Sequence, residues 1–154
     1  MKEIEIIPLP DKEAAPFGLL LLADPSSERI QQYLPLSEVY VARFRQEVVG
    51  VYVLCPQEEG LVEIKNLAVK EKYQGKGVGQ ALLQHAIQKA QSQGFREISI
   101  GTANSSVGQL YLYQKMGFEM TSLRKNFFIE NYPHPLYEHG LLVKHMIMLT
   151  RYLS

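Results

Sequence analysis

The chain of 154 residues lacks most of the features that mark secreted, membrane-spanning or nucleic-acid-binding proteins. Its single cysteine, Cys55, cannot form an internal disulfide, which suits a reducing compartment and predicts a cytoplasmic location. Sixteen basic residues balance sixteen acidic ones, and this neutrality argues against nucleic acid or an anionic membrane as a partner. The apolar stretch 18–23 is far too short to cross a bilayer, and the charged segment 1–5 lacks the core of a signal peptide.

Metal and thiol chemistry have equally little support. No Cys and His residues cluster at the spacing of a metal site, so no metal is expected. Cys55 precedes Pro56 at the end of a strand-like run, without the sequence signature of a catalytic thiol, and we expect it to be structural. The length is most simply that of one domain, residues 1–154, with a sizeable core.

The most informative stretch, residues 61–94, combines a strand-like run, a glycine-rich turn and an amphipathic helix. Residues 62–69 are rich in β-branched and aliphatic side chains, and residues 78–90 carry apolar side chains at helical spacing. Between them lies Gln74-Gly75-Lys76-Gly77-Val78-Gly79. Because the first N–H groups of a helix have no internal partner and lie at its positive end, this arrangement predicts a phosphate-binding turn.

Spacing separates the families that use such a turn. A P-loop needs Ser or Thr after Gly-Lys, but Gly77 follows Lys76. A dinucleotide fingerprint also fails, because Gly79 comes one residue too early. The pattern Gln74-x-x-Gly77-x-Gly79, preceded by Leu-Ala-Val, resembles the acetyl-CoA-binding motif of the GCN5-related N-acetyltransferase (GNAT) superfamily. An ordinary strand–turn–helix corner is the alternative interpretation.

A second stretch carries the same resemblance. Leu112-Tyr113-x-Lys115-x-Gly117-Phe118 is similar to the family signature in which a tyrosine lies beside the sulfur of the cofactor. The resemblance therefore implies that Tyr113 is a general acid, since a phenol can hydrogen-bond or protonate a leaving thiolate. The alternative is a core tyrosine whose hydroxyl finds a partner inside the protein.

The resemblance implies acetyl-CoA as cosubstrate and no metal. The pantetheine arm would lie along the main chain of residues 67–69, where a bulge splays the central strand from the next one, much as an added strand would. The pyrophosphate would rest on N–H groups of residues 75–80. The implied cofactor-binding residues are Leu67, Ala68, Val69, Gln74, Gly75, Lys76, Gly77, Val78, Gly79, Gln80 and Asn104. Asn104 lies further from Tyr113 along the chain than is usual in the family.

Attack on a thioester needs a neutral amine, so a base must take a proton from an amine whose pKa is about 10.4. Glu63 is the first candidate, because members of the family often place a glutamate on this strand. Strand alternation puts Glu63 and Lys65 on one face, and Ile64 and Asn66 on the other. Glu63 is then either a catalytic base in an acceptor groove or half of a surface ion pair.

The loop of residues 130–140 is the second source of site residues. It is restricted by two prolines and concentrates aromatic, histidine and glutamate side chains. Tyr132, His134 and Glu138 are the candidate acceptor-binding residues, with His134 as an alternative base and Glu138 as a partner for a cationic amine. A rigid, solvated connector is the alternative interpretation.

The order of elements predicts a mixed α/β (α+β) fold of the GNAT type. We expect a mostly antiparallel sheet in which a central parallel pair is splayed around the cofactor, flanked by helices. The predicted elements are a strand at 3–7, two short helices within 14–34, strands 38–45 and 48–54 with a turn at 46–47, a strand from 97, a helix over 107–116, and strands 120–130 and 141–151.

The resemblance implies an N-acetyltransferase that moves an acetyl group from acetyl-CoA to a primary amine of a small molecule or peptide by direct attack in a ternary complex. A CoA-binding sensor or scaffold without turnover is the first alternative, and a nucleotide-binding protein is the second. A homodimer is common in the family. Phe127 and Phe128 are candidates for its interface, or for the core, because strand alternation buries one of them.

Overall fold

The computed structural model describes residues 3–154. Met1 and Lys2, which begin the segment predicted to lack a signal-peptide core, lie outside the described residues. The strands are β1 (Glu5–Pro8), β2 (Glu38–Phe44), β3 (Glu47–Pro56), β4 (Leu61–Val69), β5 (Glu97–Ala103), β6 (Glu119–Arg124), β7 (Tyr137–Glu138), β8 (Leu141–Leu142) and β9 (Met146–Tyr152). The α-helices are α1 (Phe17–Ala23), α2 (Ser27–Tyr33), α3 (Val78–Ser92), α4 (Val107–Lys115) and α5 (Phe127–Asn131).

Seven strands form one sheet in the order β1-β2-β3-β4-β5-β9-β6. All neighbours are antiparallel except β4 and β5, which are parallel, so the predicted mixed sheet is confirmed. The parallel pairing joins Leu61–Ile64 to Glu97–Ile100 and goes no further. The second half of β4 is therefore splayed away from β5, and its main chain on that side is left free of the sheet.

The two faces of the sheet are covered by different helices. Helix α3 buries an apolar side on one face, as its spacing predicts, with Leu82, Leu83 and Ala86 fully buried. The short helices α1 and α2 cover the other face through Leu20 and Ile30. Burial of each such leucine or isoleucine contributes about 1.5–3 kcal/mol. The sheet and α3 thus hold the glycine turn rigidly between two buried elements.

A β-bulge in β4 overturns the predicted alternation of side chains. Val53 is opposite Asn66 and Leu54 is opposite Ile64, so Lys65 is the extra residue. After the bulge Asn66 points to the same side as Glu63, and Leu67 returns to the α3 face with Ile64. The expectation that Asn66 shares a face with Ile64 is therefore wrong. The bulge also lies two residues before the position at which the resemblance implied it.

The carboxyl-terminal third differs most from the predicted elements. The strand predicted over 120–130 ends at Arg124, because Asn126 adopts a left-handed conformation with φ of 60° and begins helix α5. Phe127 and Phe128 therefore lie on a helix, not on alternate faces of a strand, and their rings meet edge-on with centroids 5.1 Å apart. The loop that follows contains the small hairpin β7–β8.

The turn between β2 and β3 is shifted by one residue from its predicted place. Arg45 and Gln46 both have positive φ, of 50° and 71°, as the tightest hairpin turns require. Glu47 is already the first residue of β3 and is not part of the turn.

Candidate active site

Two cavities open on either side of the splayed strands. The first, of about 420 Å³, is bounded by the end of β4, the glycine turn and helix α4. Eight of the predicted cofactor-binding residues line it: Leu67, Ala68, Val69, Gln74, Gly75, Gly77, Gly79 and Gln80. We call it the turn cavity. The three remaining predicted residues, Lys76, Val78 and Asn104, do not line it.

The glycine turn owes its shape to two positive φ angles, 74° at Gly75 and 89° at Gly77. Residues other than glycine adopt these angles only with strain. The Gln74 side chain donates a hydrogen bond of 2.9 Å to the Val69 carbonyl, which ties the turn to the end of β4. Helix α3 starts at Val78. Its first N–H groups lack helical acceptors and lie beside the cavity, which is the arrangement that favours an anion.

The other two turn residues are placed differently. Lys76 is exposed, and its Nζ lies 5.8 Å from the centre of the Tyr73 ring. The Val78 side chain is 1% exposed and belongs to the core under α3, so only its main chain is available to a ligand. The predicted contacts of both residues with the cofactor stay predictions.

The second cavity, of about 350 Å³, lies between β4, the α1–α2 connection and the segment after β6. We call it the acceptor cavity. It is lined by Glu63 and Asn66 of β4 and by polar side chains from the other two segments. The two cavities share the lining residues Leu22, Ala23, Leu67, Gln109 and Tyr113. A ligand in one cavity can therefore touch a ligand in the other only at this shared boundary.

Tyr113 lies at that boundary. Its ring packs in the core beside Phe118, with centroids 6.3 Å apart, and the residue is only 5% exposed. Among residues 3–154 its hydroxyl makes no side-chain hydrogen bond, and it is not among the buried polar atoms that lack a partner. Tyr113 is thus a core residue that also lines both cavities. Burial raises the pKa of the phenol well above its usual value, which keeps the hydroxyl protonated and able to donate a hydrogen bond.

Glu63 lies inside the acceptor cavity rather than on the outer surface. It is 7% exposed, and its carboxylate Oε1 lies 3.3 Å from Nζ of Lys65, which lines the same cavity. The Glu63–Lys65 ion pair is therefore present, but it lies in the cavity and not on the outer surface. A carboxylate in this position has the chemistry of a base toward an amine that enters the cavity.

Of the three candidate residues in the 130–140 loop, two line the acceptor cavity and one does not. Tyr132 lines the acceptor cavity and donates a hydrogen bond of 2.7 Å to Asp24. Glu138 also lines it and accepts hydrogen bonds from Ser105 and Ser106, at 2.9 and 2.7 Å. His134 is exposed and is not among the lining residues.

Sequence reasoning missed the wall of the acceptor cavity formed by Asp24, Tyr33 and Asn66. Asp24 is 8% exposed and accepts from the hydroxyls of Tyr132 and Tyr33, the latter at 3.2 Å. Asn66 donates to the Leu20 carbonyl at 2.9 Å and to the Tyr33 hydroxyl at 3.1 Å, while its buried Oδ1 has no partner among the described residues. Burial raises the pKa of both tyrosines, and the hydrogen bonds to Asp24 add to this effect. In the sequence Asp24 belongs to Asp24-Pro25-Ser26-Ser27, a pattern typical of a turn and a helix N-cap, which gives no sign of a site.

Asn104 braces the end of β5 instead of lining a cavity. Its Nδ2 donates to the Leu142 carbonyl at 3.1 Å, and its Oδ1 accepts from the main-chain N–H groups of Lys144 and His145, at 2.8 and 2.9 Å. All three contacts join β5 to the chain that enters β9. The geometry therefore gives the side chain a structural task and adds no support to the predicted cofactor contact.

We expect Asn104→Ala to lower the free energy of unfolding by about 1–3 kcal/mol, because three main-chain groups lose their partner. Urea denaturation of the variant and the wild type measures this change. A loss of affinity for CoA greater than tenfold, in a variant of unchanged stability, would instead support the predicted contact.

The other expectations from the sequence concern Cys55, metal-binding groups and apolar helices. The Cys55 thiol is buried, lies 3.9 Å from the Leu36 carbonyl and lines neither cavity. Within residues 3–154 no three metal-binding side chains converge. In the same residues no helix combines the length and the apolar character that a membrane span needs.

Comparisons with known proteins agree with this geometry. Residues 10–118 match the family model described as "Acetyltransferase (GNAT) family". An "Uncharacterized N-acetyltransferase YvbK" of Bacillus subtilis is 44% identical over 133 residues, which cover 86% of each chain. A GNAT family acetyltransferase from Elizabethkingia anophelis, solved with acetyl-CoA bound, is 49% identical with a TM-score of 0.97 and covers 99% of this chain and 100% of its own. A Bacillus subtilis acetyltransferase in complex with CoA is 41% identical, with a TM-score of 0.89 and 99% of both chains covered.

The sheet with its splayed parallel pair, and the glycine turn before α3, define the fold of an acyl-CoA-dependent transferase. The family match covers most of the chain, and the chain therefore belongs to the GNAT acetyltransferase family. The family predicted from the glycine turn and the tyrosine signature is confirmed.

Proposed function

We propose that this chain is an acetyltransferase that moves the acetyl group of acetyl-CoA directly to a primary amine while both substrates are bound. The observation that carries the proposal is that two cavities meet at one buried tyrosine, Tyr113. The turn cavity has the anion-favouring helix start, and the acceptor cavity has the carboxylates. Two similar proteins were solved with acetyl-CoA or CoA bound, which supports the same assignment here.

Acetyl-CoA would be held mainly by the main chain. The diphosphate would accept hydrogen bonds from N–H groups at the start of α3, where Gly77 and Gly79 allow close approach. The pantetheine arm would lie along residues 67–69 of β4, which β5 does not pair. A free N–H there would polarise the thioester carbonyl, as an oxyanion hole does in acyl transfer.

Transfer would proceed by attack of the amine nitrogen on the thioester carbon. Glu63 would first take a proton from the bound ammonium and pass it to solvent, so that the neutral amine attacks. The nitrogen of the tetrahedral intermediate would then give its second proton to Glu63, and collapse of the intermediate would break the C–S bond and release CoA as a thiolate. Tyr113 would donate a hydrogen bond to that sulfur. Its raised pKa makes full proton transfer to a thiolate, of pKa about 8.5, unfavourable, so stabilisation by the hydrogen bond is its main contribution. The proton taken by Glu63 finally restores the neutral thiol.

Direct transfer is preferred over an acyl-enzyme because Cys55 lines neither cavity. For the base, Glu138 is the alternative that also lines the acceptor cavity, and His134, which is exposed, has less support. The acceptor is proposed to be a small-molecule or peptide amine.

The test is to measure acetyl-CoA binding by calorimetry and CoA release with a panel of primary amines. An enzyme binds acetyl-CoA and releases CoA only when an amine is added. A sensor or scaffold of the same fold would bind acetyl-CoA and release none with any amine. A protein without affinity for acetyl-CoA contradicts both.

Tyr113→Phe is expected to lower kcat by about 10–100-fold, because the leaving sulfur loses a hydrogen bond made mainly as the C–S bond breaks. KM for acetyl-CoA is expected to change less than threefold. Steady-state kinetics measure both. A variant with unchanged kcat would show that the hydroxyl plays no part in the reaction.

Tyr113→Phe is also expected to change how the free energy of unfolding depends on pH in alkaline solution. The pKa of buried Tyr113 is higher in the folded than in the unfolded chain, so its contribution is complete below about pH 10 and is lost as the pH rises above that value. Removing the hydroxyl is expected to reduce the loss of stability above pH 10 by up to about 1.4 kcal/mol per pH unit. Urea denaturation at pH 9, 10 and 11 measures the difference, and identical slopes would contradict it.

A further inference from the structure

We propose that the amine acceptor carries a carboxylate of its own, as an amino acid does, and that Arg29 and Arg124 bind that carboxylate in the acceptor cavity. The inference rests on the proposed function and names its substrate class. The acidic residues that line the cavity have partners within the protein, whereas the two arginines form no ion pair among the described residues.

The carboxylates of the acceptor cavity already have partners. Asp24 accepts from two tyrosine hydroxyls and from the Ser26 N–H at 3.1 Å. Glu138 accepts from two serine hydroxyls, and Glu63 has Lys65 beside it. Each carboxylate therefore has at least one partner within the protein.

The two arginines have no such partners. Arg29 and Arg124 both line the cavity, and within residues 3–154 neither forms an ion pair. The guanidinium carbon of Arg29 is fixed 4.8 Å from the centre of the Phe127 ring, and its buried Nε lacks an acceptor. Arg124 is exposed at the end of β6, opposite Met146 of β9, which lines the same cavity. Guanidinium groups bind carboxylates and phosphates through paired N–H donors.

The rest of the lining selects between these anions. The three carboxylates of the cavity are balanced by Lys65 and the two arginines. An amino acid with one ammonium and one carboxylate leaves this balance unchanged, whereas a doubly charged phosphate adds two negative charges. The rings of Phe128 and Tyr132, with centroids 5.5 Å apart, add an apolar wall. A cavity of about 350 Å³ with these groups fits a small amine that has one carboxylate and an apolar side chain.

The test uses matched acceptors that differ only at the carboxylate. Phenylalanine, phenylalanine amide and phenethylamine form one set, and leucine, leucinamide and isopentylamine form a second. With acetyl-CoA saturating, kcat/KM from CoA release is expected to be at least tenfold higher for each acid than for its amide or amine. The amides also stand for a peptide amino terminus, which has no carboxylate at this position.

Two variants of Arg124 link the preference to the cavity, and both change a residue that is exposed in the free protein. Arg124→Gln is expected to reduce the acid-to-amide ratio at least fivefold, and Arg124→Glu to favour the amide. Arg43→Gln, at an exposed arginine of β2 far from the cavity, is expected to keep the wild-type ratio.

The outcomes separate the two proposals. Equal or better turnover of the amides and amines by the wild type overturns the acceptor class and leaves the acetyltransferase assignment intact. A preference for the acids that Arg124→Glu leaves unchanged overturns the role of the arginine. Absence of CoA release with all six acceptors, while other primary amines of the panel cause release, overturns the inference alone. Absence of release with the whole panel, while acetyl-CoA binds, overturns the proposed turnover as well.

Discussion

Gly79→Leu is expected to weaken acetyl-CoA binding more than a hundredfold. A Cβ at this position would lie 3.7 Å from Cγ2 of Val69, an ordinary contact, and no positive φ is required. The helix can therefore accept a side chain, but a leucine would extend into the turn cavity, which Gly79 and Val69 both line. Loss of two charge-assisted hydrogen bonds to the diphosphate, each contributing about 1.5–3 kcal/mol, corresponds to a factor of 100 or more.

Two matched variants distinguish this steric effect from a general loss of stability. Gly79→Ala adds only the tolerated Cβ and is expected to change the Kd less than tenfold. Gly18→Leu places the same side chain at an exposed position of helix α1, where a Cβ meets no atom within 4 Å, and should leave the Kd unchanged. Calorimetric titration with acetyl-CoA gives all three values. Wild-type affinity in Gly79→Leu would show that the diphosphate does not lie at this turn.

Gly77 is expected to respond differently from Gly79, because its φ of 89° is in the left-handed region. Even alanine there is strained, by about 1–2 kcal/mol. Two glycines of one motif are thus needed for different reasons. Gly77 adopts the left-handed backbone that the turn requires, and Gly79 leaves space in the cavity beside the turn.

Local patterns were sufficient to predict most of the residues that line the turn cavity. The glycine turn, the end of β4 and the start of α3 lie within residues 67–80, so their relative positions follow from one strand–turn–helix unit. The spacing of buried residues in α3 and the parallel β4–β5 pairing were predictable for the same reason. Eight residues predicted from this unit line one cavity.

The complete lining of the acceptor cavity could not be predicted in this way, because contacts between distant residues assemble it. The hydrogen bond between Tyr132 and Asp24 joins residues 108 positions apart. The bulge at Lys65 turns Asn66 to the side of Glu63, and alternation gives no sign of that shift. The segment around Phe127 has strand-like residues but follows Asn126, whose left-handed conformation ends β6. In each case tertiary packing overrides the local preference.

These distant contacts also explain how β4 serves both cavities. Before the bulge its side chains alternate between the α3 core and the acceptor cavity, and Glu63 faces the cavity. After the bulge its main chain is free on the β5 side, and residues 67–69 line the turn cavity. β4 therefore presents a carboxylate to the acceptor cavity before the bulge and an unpaired main-chain segment to the turn cavity after it.

Glu63, in the acceptor cavity, gives the second large expected effect: Glu63→Gln should lower kcat at pH 7 by about 100-fold or more. The change keeps the shape of the side chain and removes its ability to accept a proton, and positioned bases contribute about 10²–10⁴-fold. Affinity for acetyl-CoA is expected to stay within threefold, because Glu63 does not line the turn cavity. Kinetics at saturating acetyl-CoA and calorimetry measure the two quantities.

The pH dependence of Glu63→Gln separates a base from a residue that merely shapes the cavity. Without a base only the free amine reacts, so the variant's rate should rise about tenfold per pH unit below the amine's pKa and approach the wild-type rate near pH 10. Glu59→Gln, on the exposed turn before β4, should match the wild type. If Glu138→Gln shows this recovery and Glu63→Gln does not, Glu138 is the base. A loss in Glu63→Gln that is equal at every pH means that its carboxylate positions the acceptor without taking the proton.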